Sequence, residues 1–228
     1  MILKDVISTV EIFKNAKSTT IAIFTSCGTI KKVFKGEHLF LDKEDVKTLY
    51  FVVSGMAALY KCNSFGEKKV IFVYGKGQAL NEVILNDLPA SINCEILQDS
   101  IVLCIPKNQF LQAMEQDFDL TKAVINSMSI KIRRLYRQMK NTTNSLRGDK
   151  KIAAKLWKLS MDYGIPCDGG VQIECDLTIT YLADMLGSKR ETVSRQLKIL
   201  TDLGLVIYKS NRFIIPNRNE LNKYFKSS

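Results

Sequence analysis

From about Lys31 to Ile105, apolar residues come in short runs separated by turn-forming residues. Lys32-Val33-Phe34 precedes Lys35-Gly36, Leu49 to Val53 precedes Ser54-Gly55, and Ala57 to Tyr60 follows. Lys69 to Tyr74 comes after the turn Ser64-Phe65-Gly66-Glu67, with Gly75 and Gly77 closing it; Ser91 to Leu97 and Ser100 to Ile105 complete the series. Runs this short at this spacing predict an antiparallel sandwich or barrel. Residues 1–30 predict helical turns packed on its outside.

After Pro106 the period changes from two to that of a helix. Lys107 to Glu115 predicts a short helix, and Asp117 to about Asn141 a long one. In the long segment Phe118, Thr121, Ile125, Met128, Ile132, Leu135, Met139 and Thr142 recur at alternating spacings of three and four. That is a heptad seam, the pattern of helices paired across a dimer axis, with Ile125, Met128, Ile132, Leu135 and Met139 at its centre. Leu120, Val124 and Tyr136 lie off the seam and are assigned to the sandwich. This second apolar face favours dimerisation over a stripe that packs only on its own domain.

The polar run Asn141 to Gly148 predicts a hinge. Asp149 then caps a new helix, with Ile152, Ala153, Leu156, Trp157, Leu159 and Ser160 on or near its buried face. Tyr163-Gly164-Ile165-Pro166 ends that helix, and Gly169-Gly170 opens a strand over Val171 to Glu174.

Leu177 to Leu200 predicts two helices around a tight turn. The first begins at Thr178 as cap and buries Leu182, Ala183 and Leu186. Gly187 supplies the turn, where φ must be positive. The second buries Val193, Leu197 and Leu200. That leaves Arg190, Glu191, Ser194 and Arg195 on another face near its start, where a recognition helix presents side chains to the major groove. Arginine can bond bidentately to guanine, and glutamate can accept from cytosine N4. Leu203 to Tyr208 and Phe213-Ile214-Ile215 bracket Lys209 to Arg212, the pattern of a hairpin wing whose Lys209, Asn211 and Arg212 suit phosphates.

Charge sharpens this reading. The net of +10 is unevenly spread: residues 1–119 carry 13 Lys and Arg against 14 Asp and Glu, and residues 120–228 carry 20 against 9. A nearly neutral front and a back of net +11 point the back half at a polyanion. Nucleic acid fits better than membrane, since no lysine-rich amphipathic stretch lies beside a lipid anchor. No apolar run approaches a membrane span, and the N-terminus lacks a signal-peptide layout, so the chain reads as cytosolic. The six cysteines (Cys27, Cys62, Cys94, Cys104, Cys167, Cys175) are scattered, and His38 is the sole histidine. That composition is poor for a zinc site and reads as reduced thiols. No nucleophile–base set and no phosphate-binding glycine loop occurs, so no enzyme is expected.

Gly187-Ser188-Lys189-Arg190-Glu191-Thr192-Val193-Ser194-Arg195, followed by a winged hairpin, closely resembles the recognition region of Crp/Fnr transcription regulators. The resemblance is most specific over residues 177–215 and looser before residue 106. It implies an α+β fold: an N-terminal antiparallel, jelly-roll-like β-roll of the cyclic-nucleotide-binding type, a long dimerisation helix and a C-terminal winged helix-turn-helix. The expected division is 1–116 for effector sensing, 117–142 for dimerisation and 143–228 for DNA binding. Arg190, Glu191, Ser194 and Arg195 are then base readers. Thr178, Lys189, Thr192, Lys209, Asn211 and Arg212 are phosphate contacts, Lys189 standing where a small hydroxyl residue is common. The implied partners are duplex DNA, a second copy of the chain, RNA polymerase and a small-molecule effector of unknown identity, with no membrane. The implied site is an inverted repeat with half-sites similar to TGTGA or TTGAT. The alternative is a cyclic-nucleotide-binding module acting on a protein partner, which does not predict the helix-turn-helix.

The sensing half departs from the resemblance. In the cyclic-AMP branch a Gly-Glu pair and a later Arg-Ser/Thr hold the ribose and cyclic phosphate. Here the pair reads Asn81-Glu82, and the later segment is Ala90-Ser91-Ile92 with no arginine near it. A buried phosphate would lack its cation, so Glu82 reads as structural and cyclic AMP is not the expected effector. The Fnr branch holds an iron–sulfur cluster on N-terminal cysteines, where this chain has only Cys27. Gly36 to Phe40 around His38 reads as a turn into a strand. Neither cluster nor haem is expected. A thiol switch is an alternative, for example through Cys167 and Cys175, which a hairpin around Gly169-Gly170 would bring together.

Overall fold

The fold is that of a computed structural model, which describes residues 2–143 and 147–227. Its contacts divide the chain into two units, Met1–Lys61 with Ile71–Thr143 and Cys62–Val70 with Asn144–Ser228. The expected hinge includes residues 144–146, which lie outside the described residues.

The first unit opens with helix α1 (Leu3–Ser8), a 3-10 turn (Glu11–Phe13) and helix α2 (Ser18–Cys27). These turns were expected on the outside of the roll, but their side chains belong to its core. Val6, Ile7, Val10, Phe13 and Phe24 are all buried. Phe24 stacks on Phe110 with ring centres 5.4 Å apart, and Phe13 lies 5.1 Å from Phe24 and from Phe51. One short sheet cannot enclose its own apolar face, and these aromatic rings close it.

Strands β1 (Thr29–Val33), β2 (His38–Phe40), β3 (Thr48–Cys62), β4 (Lys68–Tyr74) and β5 (Asn93–Pro106) form an antiparallel sheet in the order β1-β5-β3-β4, with β2 also on β5. The runs on either side of Ser54-Gly55 are one bulged strand rather than two strands and a turn. Register shifts between Val52 and Ala57 bend it. Gly55 makes the bend possible: its φ is +85°, and a Cβ there would lie 2.5 Å from the Asp99 carbonyl oxygen. The runs at Ser91 and Ser100 likewise fuse into β5.

Helix α3 (Lys107–Gln116) leads into α4 (Phe118–Thr143). Asp117 caps α4, its Oδ1 accepting from the amides of Asp119 at 3.1 Å and Leu120 at 3.2 Å. Leu120 and Val124 pack into the roll core as expected, but Tyr136 is 67% exposed. Tyr136 lies sixteen residues beyond the buried Leu120, and at about 100° per residue that places it roughly 160° round the helix, on the solvent side.

In the second unit α5 (Gly148–Tyr163) buries Ile152, Ala153, Leu156, Leu159 and Ser160. Asp149 is not its cap; it sits in the first turn, after Arg147, and accepts from the Tyr224 hydroxyl. After α5 the chain does not simply stop. Gly164–Cys167 forms β6, paired with β7 (Gly170–Ile173). Helices α6 (Ile179–Leu186) and α7 (Arg190–Asp202) follow, then β8 (Ile207–Lys209), β9 (Arg212–Ile215) and α8 (Arg218–Lys226), which the hydrophobic pattern did not reveal. The second sheet runs β6-β7-β9-β8. Asn217 caps α8 through the amides of Asn219 and Glu220, and Leu221 anchors it.

Candidate nucleic-acid interface

Thr178 has extended backbone, and its hydroxyl accepts from the Tyr181 amide at 3.1 Å, so α6 starts where the cap residue dictates. Leu182, Ala183 and Met185 bury its inner face; Met185 takes the place expected of Leu186, which is half-buried. Gly187 ends the helix in left-handed conformation, φ 61° and ψ 43°, its amide donating to the Ala183 carbonyl. Lys189 is extended and provides no side-chain cap for α7. A small hydroxyl at that position would have capped the first-turn amides, and its absence leaves them without a side-chain acceptor.

Val193, Leu197 and Leu200 bury one side of α7. This fixes the helix roll, so Arg190, Glu191, Ser194 and Arg195 are exposed on the opposite side, with Thr192 half-buried at the edge. The four expected base readers therefore share one accessible face at the N-terminal end of the helix. Lys198, exposed one turn beyond Ser194, extends the row. Its spacing of four from Ser194 was the available signal, and the sequence reading passed over it. A groove of about 420 Å³ runs beside it, lined by Ser194, Leu197, Lys198, Thr201, Val206 and Ile207.

The wing is a two-residue hairpin. Lys209 and Arg212 are paired, and Ser210 (φ 51°) and Asn211 (φ 59°) make the turn. The Tyr208 hydroxyl donates to Asn211 Oδ1 at 2.9 Å, and the Asn211 carbonyl accepts from the Leu177 amide at 2.7 Å. The wing tip is thereby tied to the start of α6. Lys209 is exposed, whereas Arg212 already donates through Nε to Asp176 at 3.1 Å. Donors in a planar arginine fork other than Nε can still meet a phosphate.

On α4, Ile125, Ile132, Leu135 and Met139 are exposed over a continuous stripe, between 37% and 68% each. Met128 differs, being half-buried against the core of the roll. In the roll, Asn81 and Glu82 are each 1% exposed. Asn81 accepts from the Tyr50 amide at 2.9 Å and donates to the Thr48 carbonyl at 2.8 Å, stitching its turn to β3. Glu82 accepts from the Ser127 hydroxyl and from Lys131. Arg133 is the first arginine in the chain, so β1 to β5 contain none. Cys167 and Cys175 are free thiols, the second buried, and burial pushes the Cys94 thiol far up. His38 shares a hydrogen bond of 2.8 Å with the Tyr60 hydroxyl. Among the described residues no three His, Cys, Asp or Glu side chains group to hold a metal ion, and no helix is long and apolar enough to cross a membrane.

Comparison with known proteins gives the same two-part layout. Residues 30–117 match the cyclic nucleotide-binding domain and residues 150–224 the Crp-like helix-turn-helix domain, together well over half the chain. The chain is 28% identical over 203 residues to the anaerobic regulatory protein of Bacillus subtilis (strain 168), covering 87% of this chain and 84% of that one. It is 18% identical to the CRP-like cAMP-activated global transcriptional regulator of Mycobacterium tuberculosis (strain CDC 1551 / Oshkosh), over 96% of this chain and 98% of that one. The solved structure of FixK2 from Bradyrhizobium japonicum superimposes with a TM-score of 0.76 at 19% identity, covering 88% of this chain and 98% of that one, and so shares the fold. With a cyclic nucleotide-binding domain followed by a Crp-like helix-turn-helix domain, the chain belongs to the Crp/Fnr family of DNA-binding transcription regulators.

Proposed function

We propose that the protein works in the cytoplasm as a homodimer, paired through the α4 stripe, and reads an inverted-repeat DNA site with two copies of α7. The observation that carries this is the shared exposure of Arg190, Glu191, Ser194 and Arg195 at the start of α7, opposite the buried Val193, Leu197 and Leu200. Arg195 and Glu191 together suit a G·C pair, one as donor to guanine and the other as acceptor from cytosine. Thr178, Lys189, Thr192, Lys209, Asn211 and Arg212 hold phosphates, and we add Lys198 to that set. Such contacts set affinity and register without reading sequence.

The roll tunes this binding through an effector other than cyclic AMP, although the Mycobacterium tuberculosis relative is named as cAMP-activated. Asn81 replaces the expected glycine, and no arginine is present in the roll to neutralise a cyclic phosphate. RNA polymerase is the candidate protein partner at promoters, and the chain has a binding role rather than a catalytic one.

The test is selection of bound duplexes from a random pool by the full-length chain. A symmetric dimer should recover half-sites about one helical turn apart, roughly 34 Å, in inverted orientation. Half-sites similar to TGTGA or TTGAT are expected. Recovery of sites without two-fold symmetry would overturn the paired-helix reading.

A further inference from the structure

The inner face of α4 changes chemistry along its length. Leu120 and Val124 are apolar and buried; beyond them come Ser127 and Lys131, then Gln138, whose amide donates to the Ile71 carbonyl at 2.8 Å. Ser127 and Lys131 are four residues apart, so both meet the roll at the same spot. That spot is Glu82, which is 1% exposed. Its Oε1 accepts from the Ser127 hydroxyl at 2.7 Å, and its Oε2 accepts from the Lys131 ammonium.

The ammonium is enclosed by the roll. It also donates to the Ala79 carbonyl at 2.9 Å, and its nitrogen lies 4.8 Å from the centre of the Tyr74 ring. A carboxylate, a carbonyl and an aromatic face all attract a cation and repel an anion. Burial pulls the Lys131 pKa down, Glu82 opposes that pull, and Arg134 on the same helix adds to it. The surroundings come from β4 with Tyr74, the segment at Ala79, the turn at Glu82, and α4 itself.

We propose that this is a primary-ammonium site built into the roll, and that Lys131 is its tethered occupant. The chain thus carries the ligand that fastens α4 to the roll. The proposal rests on the reading that cyclic AMP is not the effector, and it adds the ligand class the site does take: an alkylammonium. An anionic nucleotide would have to displace Lys131 and then face the Glu82 carboxylate.

Lys131→Ala removes the four atoms that propylammonium contains, so the free ion can refill the cage. The experiment measures thermal unfolding of the full-length Lys131→Ala chain with rising propylammonium chloride, against sodium chloride at equal ionic strength. A rise that grows with the logarithm of concentration, about 3 °C at ten times the dissociation constant, is expected. Wild type, whose site is full, and the Lys131→Ala/Glu82→Gln double variant should show no such rise. No rise in Lys131→Ala, or an equal rise in the double variant, overturns the proposal. Cyclic AMP is run as a separate arm with the wild type: a melting shift there overturns the effector reading above, while the propylammonium arm still decides the cage.

Should Lys131→Ala fail to fold, Lys131→Met keeps the stem and strands the carboxylate. It should melt below wild type, because a buried carboxylate without its cation is destabilising. Adding Glu82→Gln should recover part of that loss, whereas Glu82→Gln in the wild-type background should lower the melting temperature. A double variant that melts no higher than Lys131→Met overturns the proposal.

Discussion

Thr20 donates its hydroxyl to Asp117 at 2.7 Å, joining residues 97 apart in sequence within the buried interior of the roll. The same Asp117 oxygen accepts from the Lys17 amide at 2.7 Å, so one carboxylate both caps α4 and holds the start of α2. Burial alone would raise the Asp117 pKa, but the hydrogen bonds from Thr20 and from the Lys17 and Leu120 amides hold it below the usual carboxylate range. A carboxyl lowered in the folded state stabilises fully above its unfolded pKa, about 3.9, and that stability is lost as pH falls through the lowered value. Asp117→Asn should therefore cost on the order of 2 kcal/mol near neutral pH, since bonds to a charged acceptor are lost. The gap to wild type should close in strong acid. Urea unfolding from pH 7 down to pH 3 measures it, and a gap that is constant with pH would refute the role given to the charge.

The stripe on α4 makes its own prediction. Each aliphatic side chain buried between two helices contributes about 1.5–3 kcal/mol, so Ile132 and Leu135 together are a large share of a dimer's stability. Ile132→Glu with Leu135→Glu places like charges across the axis. Sedimentation should show a monomer, with weak binding to the inverted repeat. A persistent dimer would mean that pairing uses another surface.

What the hydrophobic pattern revealed, and what it missed, follows the physics of each segment. Helices α6 and α7 were legible because one face is apolar, the cap is a threonine and the turn is a glycine in left-handed conformation. The outer stripe of α4 was legible for the same reason. Its inner face was only half legible: Leu120 and Val124 signal burial, but Ser127, Lys131 and Gln138 look like a solvated surface in the sequence. They are half-buried against the roll, and the sequence does not signal it because their partners, Glu82, Ala79 and Ile71, lie far away along the chain. Gly55 was misread as a turn for a related reason. A bulge and a turn both call for positive φ, and only the neighbouring backbone at Asp99 tells them apart.

The wing turn can be tuned in both directions. Ser210 and Asn211 both have left-handed φ, which costs a residue with a Cβ unless its side chain compensates. Asn211 compensates by accepting from Tyr208; Ser210 has the less suitable side chain for a type I′ turn. Ser210→Asn should stabilise by about 0.5 kcal/mol, and Asn211→Ala should destabilise by about 1 kcal/mol or more. Chemical denaturation reads both. A turn indifferent to either change would mean the hairpin is held elsewhere.

The sharpest prediction separates base reading from phosphate binding. Arg195 stands on the exposed face of α7 with Glu191, while Lys209 stands on the wing. If Arg195 reaches guanine, Arg195→Ala should cost about 1–3 kcal/mol per half-site on the preferred sequence and much less on a sequence altered at that base pair. If Lys209 reaches only phosphate, Lys209→Ala should weaken all sequences about equally and reduce the slope of log affinity against log salt by about one per neutralised phosphate. Arg212→Ala should have a smaller salt effect than Lys209→Ala, because Arg212 already shares its charge with Asp176 in the free protein. Titrations of each variant against matched and altered duplexes at two salt concentrations distinguish these roles. If Arg195→Ala lowers affinity uniformly and leaves base preference intact, Arg195 is a backbone contact, and the sequence-reading face of α7 must be sought elsewhere on the helix.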